Sequence, residues 1–405
     1  MMFSKANAVV GQSGGPTAAI NATLSGVIRG AFQSDKTDTL YGMVNGVEGL
    51  LSDNLVNLNY LKGDEDSLAR LSITPASALG SARYRLPLDL ESLEYEKIFK
   101  VLSDNNIKYV FYIGGNDSMD TVCKLSRYAK EKSLDVSIMG VPKTVDNDLA
   151  LTDHTPGFGS SAKYLATTVC ELGYDVSVYN VPSVTVLEVM GREAGWLGCA
   201  CALPKHFCGV GADLVYLPEG DFKLDGFLAD VENQIKISRN VLVAVSEGVN
   251  TLSTGVEDAF GHKDISGIGK KLSDAVKLEL GCKTRGIELS LPQRCAAHLL
   301  SRTDIEESIY IGQRAVDFAL EGESGKMASF KRRAGQYGVD VIPVDASLVA
   351  NEIKHVPKEF INSAGNFVTD KCIEYLSPLI MGEINVNYKS GLPHFFRIEG
   401  DICTK

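Results

Sequence analysis

Short apolar segments recur along the chain, and each one ends in a turn that is rich in glycine or in charged residues. Six such segments, in chain order, are Ala8–Val10, Lys108–Ile113, Val136–Val141, Ser183–Val189, Asp213–Leu217 and Val241–Val245. Continuous apolar strands of this length are typical of a parallel sheet that is buried on both faces. Helix-like stretches follow the turns, and this alternation predicts an α/β fold. Ligands bind such sheets at the carboxyl ends of the strands, where these turns lie.

Domain organisation is weakly marked, because the chain has no internal repeat, low-complexity tract or extended linker. Its length of 405 residues favours two domains over one. A division is expected near Thr155–Tyr164, where glycine and serine precede a new helix-like stretch. The last stretch, from about Val339 to Lys405, predicts strands and one helix over the segment NEIKHVPKEFINSAGN, residues 351–366.

The composition excludes some classes of partner. The chain carries 40 Lys and Arg against 51 Asp and Glu, a formal net charge of −11, so a surface that binds nucleic acid or membrane throughout is excluded. No apolar run approaches the roughly 18 residues that span a bilayer, and the N-terminus lacks the pattern of a signal peptide. The 9 Cys include no CxxC pair, which indicates reduced thiols and a cytoplasmic location.

Two glycine-bearing turns are candidates for binding phosphate and metal. The first, GQSGGPTAAIN at Gly11–Asn21, combines backbone N–H groups with a helix start, which fits a bound phosphate and equally a plain tight turn. The second, GGNDSMDT at Gly114–Thr121, carries Asn116 and Asp117, whose oxygens suit Mg²⁺. The alternative for the second turn is that Asp117 or Ser118 caps the following helix.

The sharpest cluster of reactive side chains is PKTVDNDL at Pro142–Leu149. Lys143 is a point charge for a phosphate, and Thr144 offers a hydroxyl group. Asp146 and Asp148 are two residues apart, so in an extended segment their carboxylates face the same way. Phosphoryl transfer to an alcohol requires one carboxylate as general base and a second near a metal. A solvated acidic turn is the alternative.

A fourth motif, MGREAGW at Met190–Trp196, follows another strand. Gly191 allows close approach of the backbone, and Arg192 offers a planar guanidinium to a phosphate. Glu219 and Glu247 each end a strand, as acceptors for sugar hydroxyls would. Further candidates downstream are Arg285, Arg294 and His298. A lone Arg or His there is more often a surface or capping residue. Together the motifs predict phosphoryl transfer without a covalent enzyme intermediate.

The motifs SGGPTAAIN, YGMVNGVEGL, GSARYR, GGNDS, PKTVDNDL, TPGFGSSA, EVMGREAGW and SEG occur in this order, and the chain that carries them resembles the phosphofructokinase family. The resemblance implies two Rossmann-like lobes with mainly parallel sheets and an active-site cleft between them. It implies that residues 1–157 with about 303–350 bind the phosphoryl donor, and that residues 158–302 with about 351–405 bind fructose 6-phosphate. It also implies Mg²⁺ as cofactor and a homodimer or homotetramer.

Taken residue by residue, the resemblance implies that Asp146 is the base that takes the proton from the C1 hydroxyl of fructose 6-phosphate. Thr144 and Asp148 belong to the same motif and are implied as substrate contacts. Gly14 matches the glycine that contacts the donor phosphate. Asn116 stands where the family usually has an Asp associated with the metal.

The sugar-phosphate segment of the family matches Met190, Gly191 and Arg192 of this chain. Arg192 is also implied to stabilise the phosphoryl group during its transfer. Glu247 matches a ligand of the sugar hydroxyls. The QRGG segment of the bacterial ATP-dependent members reads QRCA here, and Arg294 within it is kept as a substrate-binding residue.

Two positions distinguish the phosphoryl donors used within the family. ATP-using members typically carry glycines after the metal position and before the catalytic Thr, whereas this chain has Asp117 and Lys143, as pyrophosphate-using members do. A carboxylate at residue 117 repels the α-phosphate of ATP, and Lys143 supplies positive charge to a bare diphosphate. We therefore expect pyrophosphate and fructose 6-phosphate as substrates. The alternatives are an ATP-dependent 6-phosphofructokinase and a non-catalytic regulatory subunit that binds sugar phosphate.

Overall fold

Two sheets organise the computed structural model, which describes residues 5–249 and 267–398. The strands are β1 (Ala6–Gln12), β2 (Thr37–Met43), β3 (Leu55–Asn57), β4 (Ile107–Gly114), β5 (Ser137–Pro142), β6 (Ser183–Val189), β7 (Leu214–Tyr216), β8 (Asn240–Ser246), β9 (Lys283–Glu288), β10 (Lys326–Arg332), β11 (Val339–Asp345), β12 (Tyr388–Lys389) and β13 (Leu392–Pro393). The helices are α1 (Ile20–Gln33), α2 (Val47–Leu51), α3 (Glu65–Ser72), α4 (Leu93–Asp104), α5 (Asn116–Glu131), α6 (Phe158–Ser177), α7 (Trp196–Ala200), α8 (Leu203–Cys208), α9 (Leu224–Ile237), α10 (Ile268–Leu280), α11 (Pro292–Cys295), α12 (Arg302–Leu320) and α13 (Asp370–Leu376).

The larger sheet has the strand order β11-β10-β5-β4-β1-β2-β3. Its five inner strands run parallel, and the edge strands β3 and β11 pair antiparallel with their neighbours. Val9 and Val10 of β1 are both fully buried but belong to different cores. Val9 packs with residues of α4 and α5, and Val10 packs with residues of α1 and α12. The sheet is thus covered by helices on both faces, which explains the continuous apolar strands.

The smaller sheet has the order β7-β8-β6-β9, with parallel pairing throughout. Val186 and Leu187 of β6 again lie in different cores, one shared with α9 and α10 and the other with α6 and α7. The predicted α/β fold with mainly parallel sheets is confirmed. The lobe boundaries at residues 157, 302 and 350 stay predictions.

The helix predicted over residues 351–366 is wrong. This segment contains only a 3₁₀ turn at Lys358–Phe360, and the next α-helix is α13. Pro357 explains the difference, because proline removes a helical hydrogen bond and disfavours helical geometry in the residue before it. The backbone is satisfied elsewhere, since Lys354 N donates to Asp148 O at 2.7 Å and Val356 N donates to Glu219 Oε1 at 2.9 Å.

The described ranges contain no helix that is long and apolar enough to cross a membrane. Residues 1–4, 250–266 and 399–405 lie outside the described residues. The interpretation of the N-terminus and the strands and helix expected up to Lys405 fall partly on these residues.

Candidate active site

The motifs that follow β1, β4 and β5 meet at one edge of the larger sheet. These three strands are adjacent and parallel, so their carboxyl ends lie side by side. Gly14, Asn116 and Lys143 each lie one or two residues after one of these ends. The structure therefore brings together three turns that are separate in the chain, at the edge where open α/β sheets bind ligands.

Gly14 and Gly15 form a turn on which two cationic side chains converge. Gly14 has a φ of +75°, and a Cβ atom there would lie 3.4 Å from Lys143 Nζ. A Cβ atom at Gly15 would lie 3.2 Å from Arg294 Nη1. Lys143 Nζ donates a hydrogen bond to the carbonyl oxygen of Gly15 at 2.6 Å. Glycine at these positions lets both cations approach one backbone turn, which a tight turn alone does not require.

Lys143 and Arg294 bring positive charge to this turn, and the charge of Arg83 also acts on both of them. Lys143 is only 2% exposed, and burial lowers its pKa to about 8; Asp146 opposes this shift, while Arg294 and Arg83 add to it. Burial and the charge of Arg83 also lower the pKa of Arg294. A small site with three repelling cations favours an anionic ligand. Sequence analysis missed Arg83 as a site residue, although the GSARYR motif contains it.

The carboxylates of the third motif face this cationic turn from β5. The Thr144 hydroxyl donates to Asp146 Oδ2 at 3.3 Å, and Asp146 N donates back to Thr144 Oγ1 at 3.1 Å. Desolvation raises the pKa of Asp146, against hydrogen bonding by Thr144 and the charge of Lys143. Burial and repulsion by Asp146 raise the pKa of Asp148 to about 7. The segment is not extended as assumed above, because Asn147 has a φ of +55°.

The smaller sheet contributes Arg192 and Glu247 from the ends of its adjacent strands β6 and β8. Arg192 Nε lies 3.5 Å from Glu247 Oε1. Burial raises the pKa of Glu247 to about 7; Arg192 opposes the shift and Asp146 adds to it. Because Asp146 influences Glu247, residues of the two sheets act on one electrostatic site. Gly191, with a φ of +134°, has no room for a Cβ atom, which would lie 2.7 Å from Ala194 O.

Three candidates from the sequence lie elsewhere or are already engaged. Glu219 accepts hydrogen bonds from Gly195 N at 3.0 Å and from Val356 N at 2.9 Å, so its carboxylate holds backbone. Arg285 lies on the edge strand β9, with Nη1 3.8 Å from Asp175 Oδ2. The His298 ring packs edge-on against Tyr164, with ring centroids 6.3 Å apart. The alternative of a surface or packing role describes Arg285 and His298 better than substrate binding.

Asn116 and Asp117 both lie in the first turn of α5, but their side chains have different surroundings. Asn116 Nδ2 donates to the carbonyl oxygen of Glu352 at 2.6 Å, and its Oδ1 accepts from the backbone N–H of Asn351. Asp117 is 67% exposed, and its Oδ1 lies 3.2 Å from Arg85 Nη2. The backbone of the 351–352 segment therefore holds Asn116, while Asp117 turns a carboxylate toward solvent.

The interpretation of Asp117 or Ser118 as a helix cap is wrong. Gly115 occupies the N-cap position, and no side chain caps α5. Within residues 5–249 and 267–398, no group of three or more His, Cys, Asp or Glu side chains could enclose a metal ion. The single exposed carboxylate of Asp117 fits an Mg²⁺ ion that takes most of its oxygen ligands from a bound diphosphate and water, because Mg²⁺ needs few protein carboxylates in such sites.

Comparison with known proteins gives a consistent result over nearly the whole chain. A family model described as Phosphofructokinase matches residues 7–319. A pyrophosphate–fructose 6-phosphate 1-phosphotransferase of Halomonas elongata is 38% identical over 398 residues, which cover 96% of this chain and 94% of the relative. The crystal structure of the pyrophosphate-dependent phosphofructokinase of Nitrosospira multiformis matches with a TM-score of 0.87 at 38% identity, covering 97% of this chain and 96% of that one. The corresponding Marinobacter aquaeolei structure matches with a TM-score of 0.88 at 35% identity, covering 99% and 98%.

Proposed function

The chain belongs to the phosphofructokinase family, and we propose that it transfers a phosphoryl group from pyrophosphate to the 1-hydroxyl of fructose 6-phosphate. The products are fructose 1,6-bisphosphate and phosphate, and the step is reversible. Curated relatives named for this activity are 35–38% identical to this chain over nearly its full length. The family membership that the ordered motifs predicted is confirmed.

One observation carries the choice of pyrophosphate as donor: the buried ammonium of Lys143 stands 2.6 Å from the carbonyl oxygen of Gly15. With Arg294 on the other side of the turn, this makes a compact cationic site for a short, highly charged anion. A diphosphate has no nucleoside with which to gain further contacts, so its binding depends on such concentrated charge. Asp117 adds a negative charge where a longer polyphosphate would have to pass.

We assign the role of general base to Asp146. Its Oδ2 is held by the Thr144 hydroxyl, and its raised pKa makes it a stronger base than an exposed carboxylate. Asp146 takes the proton of the 1-hydroxyl as that oxygen bonds to the attacked phosphorus of pyrophosphate. The bridging P–O bond breaks at the same centre, and the leaving group departs as phosphate.

The acceptor sugar is assigned to the side of the smaller sheet. Arg192 is about half exposed, so its guanidinium can reach a phosphate in the cleft and stabilise the charge of the phosphoryl group in transfer. We assign Met190 and Gly191 to the sugar-phosphate segment; a Cβ atom at Gly191 would lie 2.7 Å from Ala194 O, so the tight turn that precedes Arg192 requires glycine. Glu247 accepts hydrogen bonds from sugar hydroxyls, with Asp148 and Thr144 as further contacts.

We propose Mg²⁺ as the cofactor. Asp117 would contribute a carboxylate, and the diphosphate and water would supply most of the other ligands. The Asn116 amide, which the 351–352 backbone already holds, would contact the ion at most through water. When bound, Mg²⁺ neutralises charge on the donor and leaving group.

We further propose a homodimer or homotetramer in the cytoplasm, with no nucleic-acid or membrane partner. The net charge of −11 supports the absence of a nucleic-acid partner. The eight cysteines that the structure describes are all free thiols, which supports a reducing compartment. Light scattering coupled to size-exclusion chromatography measures the oligomer size, and a monomeric mass would contradict this proposal.

The test of the proposed function is a coupled assay of fructose 1,6-bisphosphate formation with fructose 6-phosphate, Mg²⁺ and either pyrophosphate or ATP. We expect turnover with pyrophosphate and a much lower kcat/KM with ATP. A preference for ATP would contradict the donor assignment but keep the reaction type. No turnover with either donor, in a protein that binds fructose 6-phosphate, would favour a non-catalytic sugar-phosphate-binding subunit.

A further inference from the structure

Lys354 lies far from the motifs along the chain, yet its ammonium group is at the centre of a hydrogen-bond cluster behind the proposed catalytic turn. Nζ donates to Asn147 Oδ1 at 3.1 Å, to the carbonyl oxygen of Thr152 at 3.2 Å and to that of Asp153 at 2.8 Å. An ammonium has three donors, so all of its hydrogen-bonding capacity is used on one loop. The loop extends from residue 146 to residue 153 and includes both Asp146 and Asp148.

The backbone of Lys354 is joined to the same turn and to the smaller lobe. Its N–H donates to the carbonyl oxygen of Asp148 at 2.7 Å, and the adjacent Ile353 forms an antiparallel bridge with Leu149. Its carbonyl oxygen accepts from Trp196 Nε1 at 2.8 Å, and Nζ lies 5.1 Å from the centre of that indole ring. Trp196 ends the motif that carries Gly191 and Arg192. One residue thus links the proposed base turn to the proposed sugar-phosphate segment.

Asn147 explains why the turn needs this support. It is fully buried between the two carboxylate residues and has a φ of +55°, a left-handed conformation that glycine adopts freely and that asparagine tolerates better than alanine when its side chain is hydrogen-bonded. Both ends of its amide are held, because Oδ1 accepts from Lys354 and Nδ2 donates to the Tyr375 hydroxyl at 3.0 Å. That hydroxyl donates to the carbonyl oxygen of Asp153 at 2.6 Å. The side chain is fixed by a closed set of hydrogen bonds.

We infer that Lys354 is a positioning residue for phosphoryl transfer, which holds Asn147 in its left-handed conformation and so orients Asp146 and Asp148 toward the substrates. Lys354 itself does not face the cationic turn, and its contacts are with the loop rather than with a ligand site. The inference rests on the proposed function, because it assigns Asp146 and Asp148 to the reacting centre. Burial lowers the pKa of Lys354, together with the charge of Arg332 and against those of Asp153 and Asp148, and this shows how closely the group is enclosed.

The main test compares Lys354→Met, which keeps an unbranched side chain but removes the ammonium, with Lys163→Met. Lys163 is a matched control, because its side chain is 14% exposed and its ammonium also donates to backbone carbonyl oxygens, those of Leu300 and Gly382. We expect Lys354→Met to lower kcat by about 100-fold, since small misplacement of a reacting group has effects of that size. KM for fructose 6-phosphate should rise by much less than kcat falls, because Lys354 touches no substrate and disturbs the substrate contact of Asp148 only through the turn. Lys163→Met should leave both constants near wild type.

A second pair of variants separates positioning from general loss of stability. Asn147→Gly removes the acceptor of Lys354 but permits the left-handed backbone, whereas Asn147→Ala removes the acceptor and disfavours it. We expect kcat of Asn147→Gly to exceed that of Asn147→Ala by about tenfold. In the Asn147→Gly background, Lys354→Met should lower kcat much less than it does alone, because the coupled contact is already absent. Equal kcat for the two Asn147 variants, or additive effects of the two substitutions, would contradict the inference.

Hydrogen–deuterium exchange gives a readout that does not require turnover. Amides of residues 146–149 should exchange faster in Lys354→Met than in wild type, and at the wild-type rate in Lys163→Met. Unchanged exchange in Lys354→Met would overturn the inference even if activity falls. A wild-type protein that is inactive with both donors overturns the proposed function and the catalytic part of this inference. The exchange experiment then decides alone whether Lys354 holds the turn.

Discussion

Replacing Lys143 with Met tests the donor site directly. Met has a side chain of similar length without the charge, so the change removes the ammonium that stands 2.6 Å from Gly15 O and leaves the Gly14–Gly15 turn in place. Hydrogen bonds to charged groups contribute about 1.5–3 kcal/mol, which corresponds to roughly 10- to 150-fold in kcat/KM. The loss should fall toward the lower end, because removal of Lys143 also relieves repulsion against Arg294 and Arg83.

The effect should be confined to the donor. We expect kcat/KM for pyrophosphate to fall by roughly 10- to 150-fold, with KM for fructose 6-phosphate unchanged within about threefold. Asp117→Gly is an informative comparison, because Asp117 is 67% exposed and paired with Arg85. A charge in such surroundings acts on a phosphate with only about 1 kcal/mol, or roughly fivefold. Asp117→Gly should therefore change the ratio of pyrophosphate to ATP activity less than Lys143→Met does.

The measurement is steady-state kinetics of both variants with each donor, and the thermal midpoint of each variant serves as the control for folding. The reasoning is refuted if Lys143→Met keeps its kcat/KM for pyrophosphate within threefold of wild type. It is equally refuted if KM for fructose 6-phosphate rises by the same factor, because the ammonium would then not be specific to the donor side of the cleft.

Three further predictions concern other ionisable groups. Asp146→Asn should lower kcat by roughly 10²–10⁴-fold while calorimetry still detects fructose 6-phosphate binding, and near-normal kcat would refute the base assignment. Because burial raises the pKa of Glu247 to about 7, kcat/KM for fructose 6-phosphate should fall as the pH drops below about 7, and Glu247→Gln should make this fall shallower, with Asp148, whose pKa is also about 7, causing the part that remains. Burial opposes charge on His154, but its hydrogen bonds to Asp153 and Glu307 outweigh burial and raise its pKa above 6.5. The resulting stability is complete below pH 6.5 and is lost as the pH rises through the raised pKa. The Tm loss in Glu307→Gln should thus be larger at pH 6 than at pH 9, and an equal loss would contradict the charged state of His154.

Much of the fold could be predicted because burial on two faces leaves a local signal. The apolar segment Ser183–Val189 coincides with β6, which is covered by helices on both sides. The meeting of the motifs after β1, β4 and β5 also follows from local information, since parallel strands place their carboxyl ends on one edge. The sequence identified Lys143 and Asp146 at this edge by their residue types. In the structure the two side chains interact, because the charge of Asp146 raises the pKa of Lys143 against the effect of burial.

What the sequence did not reveal depends on contacts between distant segments. Lys354 meets Asn147 across 207 positions, and nothing in its local pattern distinguishes it from a surface lysine. The helix predicted over residues 351–366 is wrong for the same reason, because the backbone of this segment, interrupted by Pro357, bonds to distant parts of the chain instead of to itself. Glu219 follows a strand as Glu247 does, yet its carboxylate accepts from the backbone of Gly195 and Val356. Position after a strand identifies candidates, and only the tertiary contacts distinguish a ligand from a structural anchor.

The lowered pKa of Lys143 implies that pyrophosphate binding takes up protons. In the free protein its pKa is about 8, so at pH 8 about half of the molecules carry a neutral amine. A diphosphate beside the Gly14–Gly15 turn adds negative charge next to Nζ, which raises this pKa and draws a proton to the site. Calorimetric titration with pyrophosphate at pH 8, in two buffers of different ionisation enthalpy, measures the protons taken up. Lys143→Met should take up about half a proton fewer than wild type. Equal uptake by the two proteins would show that Lys143 does not meet the donor or is already fully charged before the donor binds.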